Sequence, residues 1–168
     1  MGCNIDNIQE QVIKTDENGL KHVPAEYVRK YFQEADKDKS GSLDVDELIA
    51  LLISLGIEIT SSASHDISKT IQIADDNKNK RLEFHEFNQF LYSFINAPAS
   101  DLPAILFYVG DKDESNSIDA DELLRILKKV GSKASEDSVR ELMRVMKIDV
   151  NGIDFVTFKK ILEKLQIV

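Results

Sequence analysis

Carboxylates are crowded into one short stretch near the start of the chain, residues 36–47, which reads DKDKSGSLDVDE. It holds five acidic side chains, and only Lys37 and Lys39 offset them. Like charges this close repel one another in a folded chain. The chemistry that would justify the cost is the binding of a cation, which relieves the repulsion.

The same pattern recurs along the chain, as DDNKNKRLEFHE at 75–86 and DKDESNSIDADE at 111–122. In register, each copy has Asp at position 1, Asp or Asn at position 3 and Ser or Asn at position 5. Leu or Ile follows at position 8, an acid at position 9 and Glu at position 12. A fainter copy, MKIDVNGIDFVT, occupies 146–157. The chain is therefore built from four repeats, whose acidic segments are named loops 1 to 4 in chain order.

Apolar residues flank each loop at the spacing of an amphipathic helix. They stand four residues before each loop and directly after it, as Phe32, Ile71, Phe107, Leu142, Leu48, Phe87, Leu123 and Phe158. Each repeat therefore predicts a helix, an acidic loop and a second helix, and the fold class is all-α.

This grammar closely resembles the calcium loop of the EF-hand superfamily, in a four-hand arrangement like that of calmodulin and troponin C. The resemblance implies two lobes, each a pair of helix-loop-helix hands. It also implies short β pairing between the loops of a pair at position 8, Leu43 with Leu82 and Ile118 with Ile153. Two or three Ca²⁺ ions are the expected cofactors.

In the family, positions 1, 3, 5, 9 and 12 supply side-chain oxygens or a bridging water, and position 7 supplies a backbone carbonyl. By resemblance, the expected metal ligands are Asp36, Asp38, Ser40, Ser42, Asp44, Glu47, Asp75, Asn77, Asn79, Arg81, Glu83, Glu86, Asp111, Asp113, Ser115, Ser117, Asp119 and Glu122.

The residue at position 6 ranks the three loops by how easily they can form. The chain turns sharply there, and glycine adopts the left-handed backbone at least cost. Loop 1 has Gly41, and loop 3 has Asn116, which tolerates that region better than most residues. Loop 2 has Lys80, at a cost of about 1 kcal/mol. Lys78, Lys80 and Arg81 also bring positive charge to loop 2, so we expect it to bind Ca²⁺ most weakly.

Loop 4 lacks the ligands. Met146, Ile148 and Val150 occupy positions 1, 3 and 5, and Thr157 replaces the closing Glu. It keeps Ile153 at position 8, so we expect a structural partner for the third repeat.

Domain boundaries follow from the repeats. Residues 1–23 form an N-terminal extension, and residues 1–24 look loosely ordered; 24–97 form one pair of hands and 98–168 the other. Pro24 and Ala25 are expected to start the first helix. Pro98 should end the helix before the connector, and Ser100 or Asp101 can cap the next. The connector is expected to be short and kinked.

Composition narrows the partners. A formal net charge of −9 and a pI of about 4.8 argue against nucleic acid and favour cations or basic segments. The single cysteine, Cys3, fits a reducing compartment, and we expect a cytoplasmic protein. The start, MGCNID, offers Gly2 for myristoylation and Cys3 for palmitoylation, although Asp6 stands where the motif prefers Ser or Thr. Membrane association is expected only if these residues are acylated.

Neither a catalytic constellation nor a phosphate loop is evident, so the sequence predicts no enzyme. Three roles remain open. In a calcium sensor, the ion opens paired helices and exposes an apolar groove for an amphipathic helix of an unknown target. In a buffer or store, the ion binds with little opening. A fixed subunit would use its lobes as permanent clamps. Graded loops favour the sensor, and a content of three methionines indicates a narrower partner set than calmodulin's.

Overall fold

The computed structural model describes residues 13–55, 61–97, 101–148 and 152–167. The chain divides into two compact units, Met1–Ser100 and Asp101–Val168. Within the described ranges the regular structure is almost all helical, as the repeats predict. Two pairs of two-residue strands lie in the first unit.

Unit 1 contains a short hairpin and two hands. Its elements are β1 (Lys14–Thr15), β2 (Lys21–His22), α1 (Ala25–Ala35), β3 (Ser42–Leu43), α2 (Val45–Ser54), α3 (Ser61–Ala74), β4 (Leu82–Glu83) and α4 (Phe84–Asn96). Helix α1 begins after Pro24, as expected, because a proline next to the first turn removes no helical hydrogen bond. Helix α4 ends at Asn96, two residues before Pro98.

The hairpin corrects one expectation, since residues 13–24 are not loosely ordered. Asp16 and Gly19 form its turn, where Gly19 has a φ of 81°. The hairpin docks on α4: Leu20 is buried, and the His22 ring stacks on Tyr92 with centroids 5.5 Å apart. The backbone of Lys21 also exchanges two hydrogen bonds with the Asn96 amide, of 2.9 and 2.8 Å.

Unit 2 contains the other two hands. Its helices are α5 (Leu102–Gly110), α6 (Ala120–Lys129), α7 (Glu136–Val145) and α8 (Phe155–Lys164). Helix α5 is capped by Asp101, whose carboxylate accepts from the backbone N–H of Ala104 at 3.1 Å. The expected kink of the connector falls on residues 98–100 and lies outside the described residues.

The loops of each unit pair as the resemblance to the EF-hand family implies. Leu43 lies opposite Leu82 in the antiparallel β3–β4 ribbon. Ile118 and Ile153 form an antiparallel bridge with hydrogen bonds of 2.9 and 2.8 Å. All four side chains are at most 1% exposed. Position 8 therefore joins two loops through the backbone and buries its side chain in the core.

Both cores place an aromatic ring at the same point in the repeat. Phe32 lies four residues before loop 1 and contacts Phe87 of α4, with ring centroids 5.6 Å apart. Phe107 lies four residues before loop 3 and contacts Phe158 of α8 at 5.5 Å. Each such aromatic pair adds roughly 0.5–1.5 kcal/mol beyond the area that it buries. The incoming helix of one hand is thus held against the outgoing helix of its partner.

Among the described residues, no helix combines the length and the apolar character that crossing a bilayer requires.

Candidate metal centre

The carboxylate at position 1 is held by the backbone of its own loop. In loop 1, Asp36 accepts hydrogen bonds from the N–H groups of Ser40 and Gly41, both at 2.9 Å. In loop 3, Asp111 accepts from Ser115 and Asn116, also at 2.9 Å. The loop therefore wraps around its first acid, which explains why the chain must turn sharply at position 6.

Position 12 closes each loop in a similar way. Glu122 accepts from the N–H of Lys112 at 2.8 Å and from that of Asp119 at 3.0 Å. The same two bonds recur at Glu47, from Lys37 and Asp44, and at Glu86, from Asp76 and Glu83. The glutamate thus ties the start of the loop to the helix that follows it.

Positions 9 and 12 also begin the outgoing helix. Asp44 is the N-cap of α2, and its carboxylate accepts from the N–H of Glu47 at 2.9 Å. The Glu47 carboxylate in turn accepts from the N–H of Asp44. Asp119 and Glu122 form the same capping box at α6. The residue types that suit a cation at these positions are therefore those that suit a helix N-terminus, where negative charge is favoured.

The acids of loops 1 and 3 converge. One carboxylate oxygen from each of Asp36, Asp38 and Glu47 lies within 4.8 Å of the others, and Asp111, Asp113 and Glu122 form a matching group. All are hard oxygen donors, and the hydroxyls of positions 5 and 7 lie beside them: Ser115 Oγ is 3.0 Å from Ser117 Oγ. This donor set fits Ca²⁺, which takes 6–8 oxygen ligands.

Loop 3 is the more deeply buried of the two. Asp111 and Glu122 are 0% and 4% exposed, whereas Asp36 and Glu47 are only partly buried. Burial, with a smaller contribution from the Asp113 and Glu122 carboxyls, raises the pKa of Asp111 to about 6. Burial likewise raises the pKa of Glu122. A divalent cation would therefore compete with protons at loop 3.

Loop 2 keeps the same backbone frame with fewer acids. Asp75 accepts from the N–H of Lys80 at 2.8 Å, and Lys80 has a φ of 63°, the left-handed turn expected of position 6. The Asn77 amide donates to Glu83 at 3.1 Å. The converging group here is Glu83, Glu86 and the neighbouring His85, with Asp75 outside it.

The side chain of Arg81, at position 7 of loop 2, crosses the ribbon and lies against loop 1. Its Nε donates to Ser42 Oγ at 2.7 Å, and its Nη2 donates to Ser40 Oγ at 2.8 Å. Nη2 also lies 3.3 Å from Asp38 Oδ2 and 3.4 Å from Glu47 Oε2. The sequence places this charge in loop 2, and the structure adds that the guanidinium lies among the acids of loop 1.

Loop 4 keeps its helix start without the ligands. Asp154, at position 9, caps α8 by accepting from the N–H of Thr157 at 2.7 Å. Position 7 is Gly152, with a φ of 86°, and a Cβ there would stand 3.0 Å from Ser117 Oγ of loop 3. Val150 falls outside the described residues, as do Gly2 and Cys3.

Some features escape sequence reasoning. Position 4 is left-handed in all three acidic loops, at Lys39, Lys78 and Glu114, with φ between 56° and 60°. The repeats gave no signal for this, because the residue type varies. The hairpin had one available signal, Asn18-Gly19, which is a common turn pair.

Comparison with known proteins agrees with this geometry. Residues 25–92 match a family model described as an EF-hand domain pair, and residues 114–165 match a second model of the same description. The chain is 33% identical over 135 residues to the probable calcium-binding protein CML18 of Arabidopsis thaliana, an alignment covering 78% of this chain and 79% of that protein. The chain therefore belongs to the EF-hand family.

Other relatives are similar over most of their length. The putative calmodulin-like protein 6 of Oryza sativa subsp. japonica is 25% identical, over 80% of each chain. The calcium-binding protein CML19 of Arabidopsis thaliana is 24% identical, over 87% of each chain. Within the family, the chain is a calmodulin-like calcium-binding protein and not an enzyme, and Ca²⁺ is its cofactor.

Proposed function

We propose that this protein is a calcium sensor whose lobes open and expose apolar surface when their loops bind Ca²⁺. The placement of the position-12 glutamate carries this proposal. Glu122 lies in the first turn of α6, yet its carboxylate reaches back to the N–H of Lys112 at the start of loop 3. Because this carboxylate is a ligand candidate and belongs to the helix, a cation that changes its position would move the helix with it.

The outgoing helices carry side chains that such a movement would uncover. Leu127 of α6 and Ile161 of α8 are 2% and 0% exposed, and Phe90 of α4 is 0% exposed. Phe94, half-buried, stacks on Phe90 with ring centroids 5.7 Å apart. These rigid Phe, Leu and Ile groups suit the apolar face of an amphipathic helix.

The net charge supports a basic partner. At −9, the chain attracts segments rich in Lys and Arg, and calcium only partly neutralises it. The proposed target is therefore a basic amphipathic helix of another protein, and the proposed location of the chain itself is the cytoplasm. Membrane association would require acylation of Gly2 and Cys3.

A buffer is the second candidate, and one observation favours it. The acids at positions 1 and 12 already accept hydrogen bonds from their own loops, at 2.8–3.2 Å in all three acidic loops. A loop held in this way can accept an ion with little rearrangement of its helices.

The dye ANS, which fluoresces on exposed apolar surface, distinguishes the two roles. The protein in EDTA is compared with the protein in excess Ca²⁺, beside a variant in which Glu47, Glu86 and Glu122 are each replaced by Gln. The sensor predicts a rise in fluorescence for the wild type and little for the variant. If calorimetry shows calcium binding while the wild-type fluorescence stays flat, the buffer is correct.

A further inference from the structure

We infer that Arg81 is a tethered cation that competes with Ca²⁺ for the oxygens of loop 1 and so sets the calcium concentration at which this loop fills. This inference rests on calcium binding by the family and not on the proposed sensor role. In this inference, a side chain of the second hand controls the calcium affinity of the first hand.

The contacts of the guanidinium carry the inference. It reaches side-chain oxygens at positions 3, 5, 7, 9 and 12 of loop 1, and the backbone carbonyl of position 7. The distances are 3.3 Å to Asp38, 2.8 Å to Ser40, 2.7 Å to Ser42 Oγ, 3.1 Å to Ser42 O, 3.6 Å to Asp44 and 3.4 Å to Glu47. Apart from Ser42 Oγ, these are oxygens at the positions that a family calcium loop offers to its ion, directly or through water.

The guanidinium of Arg81 and a calcium ion would compete for the same loop 1 oxygens. A carboxylate oxygen can accept a hydrogen bond and still coordinate a metal ion, but a guanidinium in contact with five positions of the loop repels a second cation placed among the same oxygens. The arginine places its donors in a planar fork at a fixed spacing, so its contacts with several acceptors are geometrically matched. Because it is joined to the same unit, it is always present at high effective concentration.

The guanidinium can also leave. The Arg81 side chain is 30% exposed, and Asp38 and Asp44 are 55% and 40% exposed, so the side chain has a path to solvent. An ion of charge +2 then replaces a group of charge +1 among three carboxylates. Calcium therefore wins at sufficient concentration, and the arginine shifts the midpoint upward.

Unit 2 provides the contrast. Position 7 of loop 4, which corresponds to Arg81 across the bridge, is Gly152. It has no side chain to extend into loop 3, and the Ser117 hydroxyl oxygen lies 3.0 Å from the point where a Cβ would stand. Position 7 therefore supplies a cation across the ribbon in unit 1 and none across the bridge in unit 2.

The main variant is Arg81→Ser, which gives loop 2 the same position-7 residue as loops 1 and 3. We expect calcium affinity at loop 1 to rise roughly 10-fold, within the usual range for coupled sites. NMR titration would follow the amide of Gly41, which donates to Asp36 in loop 1. Loop 3, followed at Asn116, should not change. In EDTA the same variant should melt at a lower temperature, because the contacts with loop 1 are lost.

Lys78→Ser is the matched control. It removes one positive charge from an exposed position of the same loop. It should leave the loop 1 affinity nearly unchanged. If it raises the affinity as much as Arg81→Ser does, general electrostatics is the cause and the inference fails. An unchanged or lowered affinity in Arg81→Ser would also overturn it.

A wild-type measurement keeps the test independent of whether a variant folds. The Nε–H resonance of Arg81 should be shifted and slow to exchange in EDTA, because Nε donates to Ser42 at 2.7 Å. Adding Ca²⁺ should move it to the position of a solvated arginine, in step with the Gly41 amide. A resonance that stays at the solvated position throughout would contradict the inference.

Discussion

Loops 1 and 3 carry nearly the same ligands but face different partners. Across the ribbon from loop 1 stands Arg81, whose guanidinium lies among its acids, whereas across from loop 3 stands Gly152. Loop 3 instead buries its acids more deeply, and burial raises the pKa of Asp111. In one loop the competitor for calcium is a tethered side chain, and in the other it is the proton. Two sites with one ligand pattern can therefore respond to different conditions.

Replacing the closing glutamates should show the largest difference. Glu47→Gln and Glu122→Gln each remove a carboxylate and should weaken calcium at their own loop by at least about 10-fold. The loss should be larger in Glu122→Gln, because Glu47→Gln also removes an ion-pair partner of Arg81. NMR titration with Ca²⁺, followed at the Asn116 and Gly41 amides, measures each loop. A larger loss of calcium affinity at loop 1 than at loop 3 would contradict the proposed difference between the two loops.

A methyl group at Gly152 tests how closely the two loops of unit 2 approach. Gly152→Ala adds a Cβ at a φ of 86° and places it 3.0 Å from Ser117 Oγ and 3.2 Å from the Ile118 carbonyl. We expect it to lower the free energy of unfolding by more than about 1 kcal/mol. Urea unfolding of the full chain, followed by NMR signals of unit 2, measures the change.

Gly131→Ala is the control for this change. Gly131 has a φ of 83° in the same unit, but nothing lies within 4 Å of an added Cβ. It therefore carries the cost of the left-handed backbone without the contact to loop 3. Equal losses in the two variants would show that the close approach contributes nothing.

Lowering the pH should weaken calcium binding at loop 3 more than at loop 1, by a smaller factor than the glutamate substitutions do. Ca²⁺ binds the ionised carboxylate, and Asp111 with a pKa of about 6 is mostly protonated at pH 5.5, so loop 3 should lose about 4-fold in affinity between pH 7.5 and pH 5.5. Hydrogen bonds from Ser40 lower the pKa of Asp38, so that ligand of loop 1 stays ionised. Calcium titrations at the two pH values measure both sites; a larger acid loss at loop 1 would reverse the assignment.

The same raised pKa has a consequence for stability without calcium. A carboxyl whose pKa is raised by folding stabilises the folded state fully below the unfolded value, and this contribution is lost as the pH rises through the folded value. For Asp111, that window lies between the ordinary aspartate pKa of 3.8 and about 6. Unit 2 in EDTA therefore gains no stability from this group at neutral pH.

The features that could be predicted from the sequence are those whose residues recur in each repeat. The helix-loop-helix order follows from a pattern that recurs along the chain, and the pairing of Leu43 with Leu82 follows from the resemblance to the EF-hand family. The direction of the Arg81 side chain could not be predicted in this way. It depends on which loop lies across the ribbon and on where the acids of that loop point, and both are properties of the packed unit.

The hairpin was missed for a different reason. Its strands are two residues long, too short for an alternating pattern, and its stability comes from docking on α4. His22 and Tyr92 become partners, and Leu20 becomes buried, only when distant parts of the chain meet.

Asp154 shows what remains in a hand that lacks the ligand side chains of the calcium loop. The carboxylate still begins α8, although Thr157 has replaced the glutamate and supplies only a backbone N–H. Substitutions can therefore remove the calcium ligands of a hand without unfolding the helix that follows its loop. The number of repeats in such a chain is a count of folding modules, and its calcium stoichiometry is free to drift below that count during evolution.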